Sequence, residues 1–436
     1  MKKFLLKTLL MATLATAFVS CKDNCMQTVT YRGTESVKLT LAELRSSLKT
    51  LPAQDLQNPG KIYVKDNYLF INEVKKGIHV IDNTNPSSPK VISFIQILGN
   101  IDIAVKDNIL YADSYTDFVA LDISDPQNVK EVSRIKEVFL NGQVDGLGWN
   151  YNKSDQTIYD SKYKLYNTTQ EVACDPQQVY YGWGGGFYSG ANSFDASGFK
   201  SGASSTGGTG TGTGVSGSTT RFAITEDRLY AVTQNEMQFY NLQNPSKPSF
   251  IGFVNLGFGI ETIFPYKGKL FLGTNTGVQI WDNKNPNLPT YLSRLDHARA
   301  CDPVVVENDI AYVTLRSVNN FTRCGGAIAN QLDVIDVTNM ASPQLLKSYP
   351  MESPYGLGID KNKLFICEGV SGLKTFDATK PMDIKQLQHF KDMNAYDVIP
   401  LNNTLMLIGK DGLYQYDYSN PNSLKLLSKI SVKPVS

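Results

Sequence analysis

Four carboxylates stand where chemistry could gather. Asp102, Glu261 and Asp397 each open a short β-rich segment (Ile-Ala-Val, Thr-Ile-Phe, Val-Ile-Pro), and Asp302 precedes Pro-Val-Val. Brought to one mouth, such a set would hold a divalent cation or receive a cationic ligand. His297, beside Asp296 and just ahead of Cys301, is the histidine expected near that mouth, and the pair would give an acid and a base if a nucleophile joined them. The simpler reading is that these carboxylates cap the starts of strands and face water. The chain has no Gly-x-Ser-x-Gly elbow, phosphate loop, His-Glu-x-x-His or dinucleotide fingerprint, and no cofactor or metal is expected. A site gathered from several repeats would leave no such local motif, so catalysis stays open.

The elements that must position these residues form an internal repeat. Seven segments end alike: GIHVIDNTNPSSP (77–89), FVALDISDPQNV (118–129), MQFYNLQNPSKP (237–248), VQIWDNKNPNLP (278–289), LDVIDVTNMASP (332–343), LKTFDATKPMDI (373–384) and LYQYDYSNPNSL (413–424). Their anchors are Asp82, Asp122, Asn241, Asp282, Asp336, Asp377 and Asp417, with a period of about 40 residues broken by one long and one short insertion. Within a period there are four strand signals, such as KIYVKDN, YLFINEV, GIHVIDN and PKVISFIQI, separated by Gly, Asn and Asp turns. Four antiparallel strands every 40 or so residues make one propeller blade. The fold class expected is therefore all-β: a seven-bladed β-propeller over residues 60–434, with a short N-terminal helix and one long Gly/Ser/Thr-rich insertion at 140–219.

The third strands, HVID (79–82), VALD (119–122) and DVID (333–336), resemble the LVIVD-repeat family of exported bacterial propeller proteins. The resemblance runs over about residues 60–434, departs at Asn241 and Met340, and implies an architecture and an exported location rather than an activity. The repeated Asp invites a calcium reading. An Asx-turn explains it better, with the carboxylate accepting a backbone N–H two residues on.

The N-terminus reads as a leader. Lys2, Lys3 and Lys7 precede an apolar run from Leu9 to Val19, too short to span a bilayer, that ends in Phe18-Val19-Ser20-Cys21. This resembles the lipobox of bacterial lipoproteins, with Phe18 an unusual choice. Residues 1–20 are expected to be the signal peptide and Cys21 the lipidated residue. Acyl chains contribute about 0.8 kcal/mol per buried CH₂, so two or three anchor the protein to the lipid bilayer. Residues 21–59 are expected to be tether, with room for one added strand within 22–38, and a helix over about 41–48 opened by the capping box Thr40-Leu41-Ala42-Glu43. That helix is expected to cover one side of the propeller.

In an exported chain the cysteines need an account. Cys301 and Cys324 fall on the same end of one blade and are expected to form a disulfide contributing about 3 kcal/mol in the chain-entropy picture. Cys367, in LFICEG, is expected to be a buried small hydrophobe. The state of Cys25 and Cys174 stays open.

Both insertions, 140–219 after a fourth strand and 316–330 between a second and a third, emerge on one end of the blades, which is taken as the functional one. The longer carries Tyr180, Tyr181, Trp183, Phe187 and Tyr188, rings that would stack on a glycan or anchor a protein partner, or else pack the insertion onto the body. Lys plus Arg number 42 and Asp plus Glu 41, a balance without the basic excess of a nucleic-acid binder. The function expected is a non-catalytic binding or scaffold module of the bacterial cell envelope, anchored at the outer membrane. The alternative is a propeller hydrolase or lyase using the carboxylates at the channel mouth.

Overall fold

A computed structural model describes residues 24–144, 147–173, 187–188, 215–216, 220–233, 235–257, 259–296, 303–316 and 330–433. The chain divides into two units, 1–37 with 161–194, and 38–160 with 195–436.

The larger unit is built from one pattern. Repeat 1 has the strands Pro59–Lys65, Tyr68–Glu73, Gly77–Asp82 and Lys90–Gln96. Each is antiparallel to the one before. Repeat 2 has Ile103–Lys106, Ile109–Ser114, Asp117–Asp122 and Lys130–Ile135. Repeat 3 runs from Phe222–Thr225 through Arg228–Val232 and Glu236–Asn241 to Ser249–Asn255. Repeat 4 runs from Ile260–Tyr266 to Thr290–Asp296, repeat 5 from Val304–Glu307 to Gln344–Pro350, repeat 6 from Leu357–Asp360 to Lys385–Phe390, and repeat 7 from Ala395–Leu401 to Lys425–Ser431. The result is an all-β architecture of four-stranded antiparallel sheets, of the β-propeller type. The second and third strands of each repeat are apolar on both faces, as sheets stacked on both sides require. Leu69, Leu110, Leu229, Leu270, Val313, Leu364 and Leu405 are fully buried. The fourth strands of repeats 3 and 7 hold only exposed and half-buried residues, which marks them as outer ones, whereas that of repeat 1 is partly buried.

The anchor residues act as the turn reading requires. Asp82, Asp122, Asn241, Asp282, Asp336, Asp377 and Asp417 each accept, through Oδ1, the backbone N–H two residues on, at 2.8–2.9 Å. The turn does a second job. The carbonyl at its Pro position is an acceptor for the neighbouring repeat. Ser93 donates to the Pro126 carbonyl, Tyr111 to Pro245 (2.9 Å), Tyr230 to Pro286 (3.3 Å), Ser293 to Met340 and Tyr349 to Pro381 (3.1 Å). Between repeats 6 and 7 the Gln388 side chain accepts the Leu424 N–H instead. Ser428 of repeat 7 donates to Pro86 of repeat 1 at 2.6 Å, so the series returns to its start. Met340 keeps the acceptor where Pro is absent, because the bond needs only the carbonyl.

The helix covers Leu41–Ser46, two residues shorter than the sequence reading. The capping box forms, with Thr40 Oγ1 accepting the Glu43 N–H and Glu43 accepting from the Thr40 N–H. Leu41 and Leu44 are buried against repeats 1 and 2. The Ser47 hydroxyl ties off the last turn on the Leu44 carbonyl at 2.7 Å. The chain then forms a strand the sequence reading did not anticipate: Lys49–Pro52 pairs with Lys90–Gln96 and covers the outer edge of repeat 1. Arg45 of the helix bonds the buried Asp117 of repeat 2 at 2.8 Å.

The tether expected before the helix holds a 17-residue strand, Asn24–Thr40. In the smaller unit its first part lies between the strand Thr157–Ala173 and the two-residue strand Phe187–Tyr188, with Thr30 opposite Tyr188. No described helix is long and apolar enough to cross a membrane. The leader and Cys21 lie outside the described residues.

Candidate functional site

Two of the four carboxylates singled out in the sequence line one pocket. Asp102 and Asp397 are buried there with Ile62, Tyr63, Ile103, Ser216 and Thr220, and the half-buried Lys61 completes the lining. Four repeats contribute. Lys61 lies on the first strand of repeat 1, Asp102 opens repeat 2, Thr220 precedes repeat 3, and Asp397 sits on the first strand of repeat 7. The tail of the long insertion adds the strand Val215–Ser216, which pairs with Pro59–Lys65 through Ser216 opposite Tyr63.

Asp102 is the hub. Its carboxylate holds the Lys61 ammonium, takes the Arg221 N–H at 2.6 Å and the Ile103 N–H at 3.0 Å, and has the Thr220 hydroxyl at 3.1 Å. The loop carrying Asp102 is itself held by Asp113, whose Oδ1 accepts the N–H groups of Ile101 (2.8 Å) and Asp102 (2.9 Å) and the Asn100 amide (2.9 Å). Burial pushes the Asp113 carboxyl up to about 6 against those hydrogen bonds. Burial likewise raises Asp397 to about 7, while the Val398 N–H and the Lys61 charge pull the other way. The Lys61 ammonium is lowered, because desolvation outweighs the Asp102 attraction. These are the shifts expected of ions removed from water.

This arrangement is a polar cluster in which the Lys61 ammonium pairs with the Asp102 carboxylate and Asp397 accepts the Val398 N–H. Asp102 and Asp397 do cap the strand starts behind them, but they are buried rather than solvated. Glu261 is half-buried at the start of repeat 4 and does not line the pocket. Asp302, His297 and the proposed disulfide partners Cys301 and Cys324 lie outside the described residues, as do Tyr180, Tyr181 and Trp183. Phe187 and Tyr188 are described only as backbone. Among the described residues, no group of three or more His, Cys, Asp and Glu is placed to hold a metal ion. Cys367 is fully buried in the core of repeats 6 and 7, with its thiol pushed well up by desolvation.

Sequence reasoning missed Lys61, Asp113 and Thr220. It also missed a recurrent clamp. Glu73 in repeat 1 accepts the N–H groups of Gln57 (3.1 Å) and Asn58 (2.6 Å) and faces His79 Nε2 at 3.0 Å. Glu368 in repeat 6 accepts those of Glu352 (3.0 Å) and Ser353 (2.6 Å) and meets Lys374 at 3.0 Å. The signal was present, since Glu73 ends a second strand, Glu368 directly follows one, and His79 and Lys374 each stand six residues further on.

The sheets and the bonds between them define a repeat protein of the β-propeller type. The LVIVD-repeat family model matches three stretches of it, residues 59–95, 101–136 and 327–350. No curated protein matches the chain in sequence. Solved structures similar to it include Sqt1 of Saccharomyces cerevisiae, at 11% identity and TM-score 0.49 over 89% of this chain and 93% of that one. BamB from Moraxella catarrhalis is similar at 9% and 0.41 over 92% and 89%. PorZ of Porphyromonas gingivalis, a surface component of its type-IX secretion system, is similar at 11% and 0.44 over 89% of this chain and 39% of that one. At these scores the likenesses carry no functional argument, and the reading of the fold rests on the sheets themselves.

Proposed function

We propose that the chain is a lipid-anchored protein of the bacterial cell envelope whose body is a seven-bladed β-propeller, and that it works by binding, presenting loops of one end to a protein or a glycan. Closure into seven blades is supported by the series of inter-repeat bonds that runs from Ser93 on Pro126 round to Ser428 on Pro86. The binding reading is carried by one asymmetry. At one end, the turns between first and second strands are two residues long, and those between third and fourth strands carry the same Asx hydrogen bond in every repeat. Both long insertions belong to the other end, where loops can vary without cost to the scaffold. The pairing of Lys61 with Asp102 favours binding over catalysis. A hydrolase or lyase reading draws on the raised Asp397, yet Lys61, which lines the same pocket, is already engaged by Asp102.

Two experiments test this. Metabolic labelling with an alkynyl fatty acid should mark the wild-type chain and leave Cys21→Ser unmarked. Equal labelling of both removes the anchor from the proposal. A pull-down from native envelope extract, paired with a glycan array, should give a ligand held by the full chain and lost on deletion of 146–219. A ligand retained by the deletion variant moves the site off the decorated end.

A further inference from the structure

An outer strand with unpaired backbone groups invites pairing with another chain, and soluble proteins guard such edges with charge or cover. Six of the seven outer strands here are guarded. Lys130, Arg134, Arg294, Lys347, Lys385 and Lys425 stand on those of repeats 2 and 4–7. In repeat 1, Lys49–Pro52 already occupies the edge, so this fold accepts an added strand there. Repeat 3 is the exception. Its outer strand, Ser249–Asn255, reads Ser-Phe-Ile-Gly-Phe-Val-Asn, without a charge. It ends its sheet and leaves Phe250 44% and Phe253 57% exposed.

We propose that this edge is a self-association surface, on which the outer strand of repeat 3 pairs antiparallel with the same strand of a second copy. The strand is self-complementary about Gly252. A two-fold pairing centred there sets Phe250 against Val254, Ile251 against Phe253, and Ser249 against Asn255. Apolar side chains meet apolar ones and the polar ends meet each other, as an isologous interface requires. The neutral edge also selects a copy of itself over a charged partner, and each of the other uncovered edges carries at least one cation that such a pairing would bring onto the seam.

The test is sedimentation velocity of the detergent-solubilised full chain over a hundredfold concentration range. Wild type should move from monomer to dimer. Phe253→Lys and Ser249→Lys, both at exposed positions and each checked for a wild-type melting curve, should weaken the dimer at least tenfold. Leu426→Lys, which removes a 56% exposed side chain from the outer strand of repeat 7, should leave it unchanged. A wild type that stays monomeric, lysine variants that still dimerise, or equal weakening by Leu426→Lys each overturns the proposal.

Discussion

The Lys61 ammonium on the innermost strand of repeat 1 is bonded to the Asp102 carboxylate that opens repeat 2, and the same carboxylate takes the backbone N–H of Arg221 ahead of repeat 3. One buried side chain thus joins three repeats. Breaking a buried pair by removing one charge costs about 3–5 kcal/mol, since the other charge is left uncompensated. Asp102→Asn should lower stability by about that much in urea unfolding. Adding Lys61→Met to it should restore part of the loss, and two losses that simply add would show that the charges are not coupled.

The raised Asp397 has a pH consequence with a definite sign. Its carboxyl titrates at about 7 in the folded chain against an ordinary 3.8, so the native state binds the extra proton between those values. Stability associated with this group is full below 3.8 and declines as pH rises toward 7. Asp397→Asn should melt higher than wild type at pH 8, with the gap closing as pH falls toward 4. A gap that is constant with pH would assign the effect to packing.

The Asx-turns predict a graded series at one position. Asp336→Ala removes the acceptor for the Thr338 N–H and should cost about 1 kcal/mol. Asp336→Asn should cost much less, because Asn241 already forms this turn in repeat 3. Chemical denaturation of the two variants checks the ordering.

The bond from Ser428 to the Pro86 carbonyl joins the last repeat to the first. Ser428→Ala should cost about 1 kcal/mol. It should also speed hydrogen exchange on Lys425–Ser431 more than on the outer strand of repeat 4, and uniform acceleration would deny it a local role.

Cys367 should be inert in the native chain, since the thiolate is the nucleophile and burial disfavours it. Iodoacetamide labelling read by peptide mapping should find this cysteine unmodified until denaturant is added. Modification under native conditions would mean that the core of repeats 6 and 7 opens readily.

Periodicity and turn chemistry made most of the scaffold legible. The seven anchors, the strand-turn pattern, the capping box at Thr40 and the burial of Cys367 all follow from local rules that one stretch of sequence displays. The polar cluster was half legible. Asp102 and Asp397 stood out because they open strands at matching places in the repeat. Lys61 and Asp113 looked like ordinary strand residues, and nothing local pairs a lysine at 61 with a carboxylate at 102. The proline of the turn announced a stiff corner, yet its carbonyl bond to the neighbouring repeat needs a hydroxyl about 30 to 130 residues away in most junctions. The strand Lys49–Pro52 was hidden because four residues ending in proline carry little strand signal, and only pairing with Lys90–Gln96 defines them.

Each described four-strand sheet takes its strands from one uninterrupted stretch of chain, apart from insertions, and no repeat borrows a strand from the opposite terminus. Such a molecule has no obligation to wait for its last residue. Apart from the one in repeat 5 that carries the insertion 316–330, each hairpin closes over a few residues, so contacts within a repeat are local and fast to form. Among the described residues, the union of repeat 7 with repeat 1 rests on side-chain bonds, packing and a backbone bond from the Lys433 N–H to the Leu56 carbonyl rather than on a threaded strand. A chain delivered N-terminus first can therefore fold unit by unit as it emerges, leaving only the final seam to be sealed once synthesis is complete.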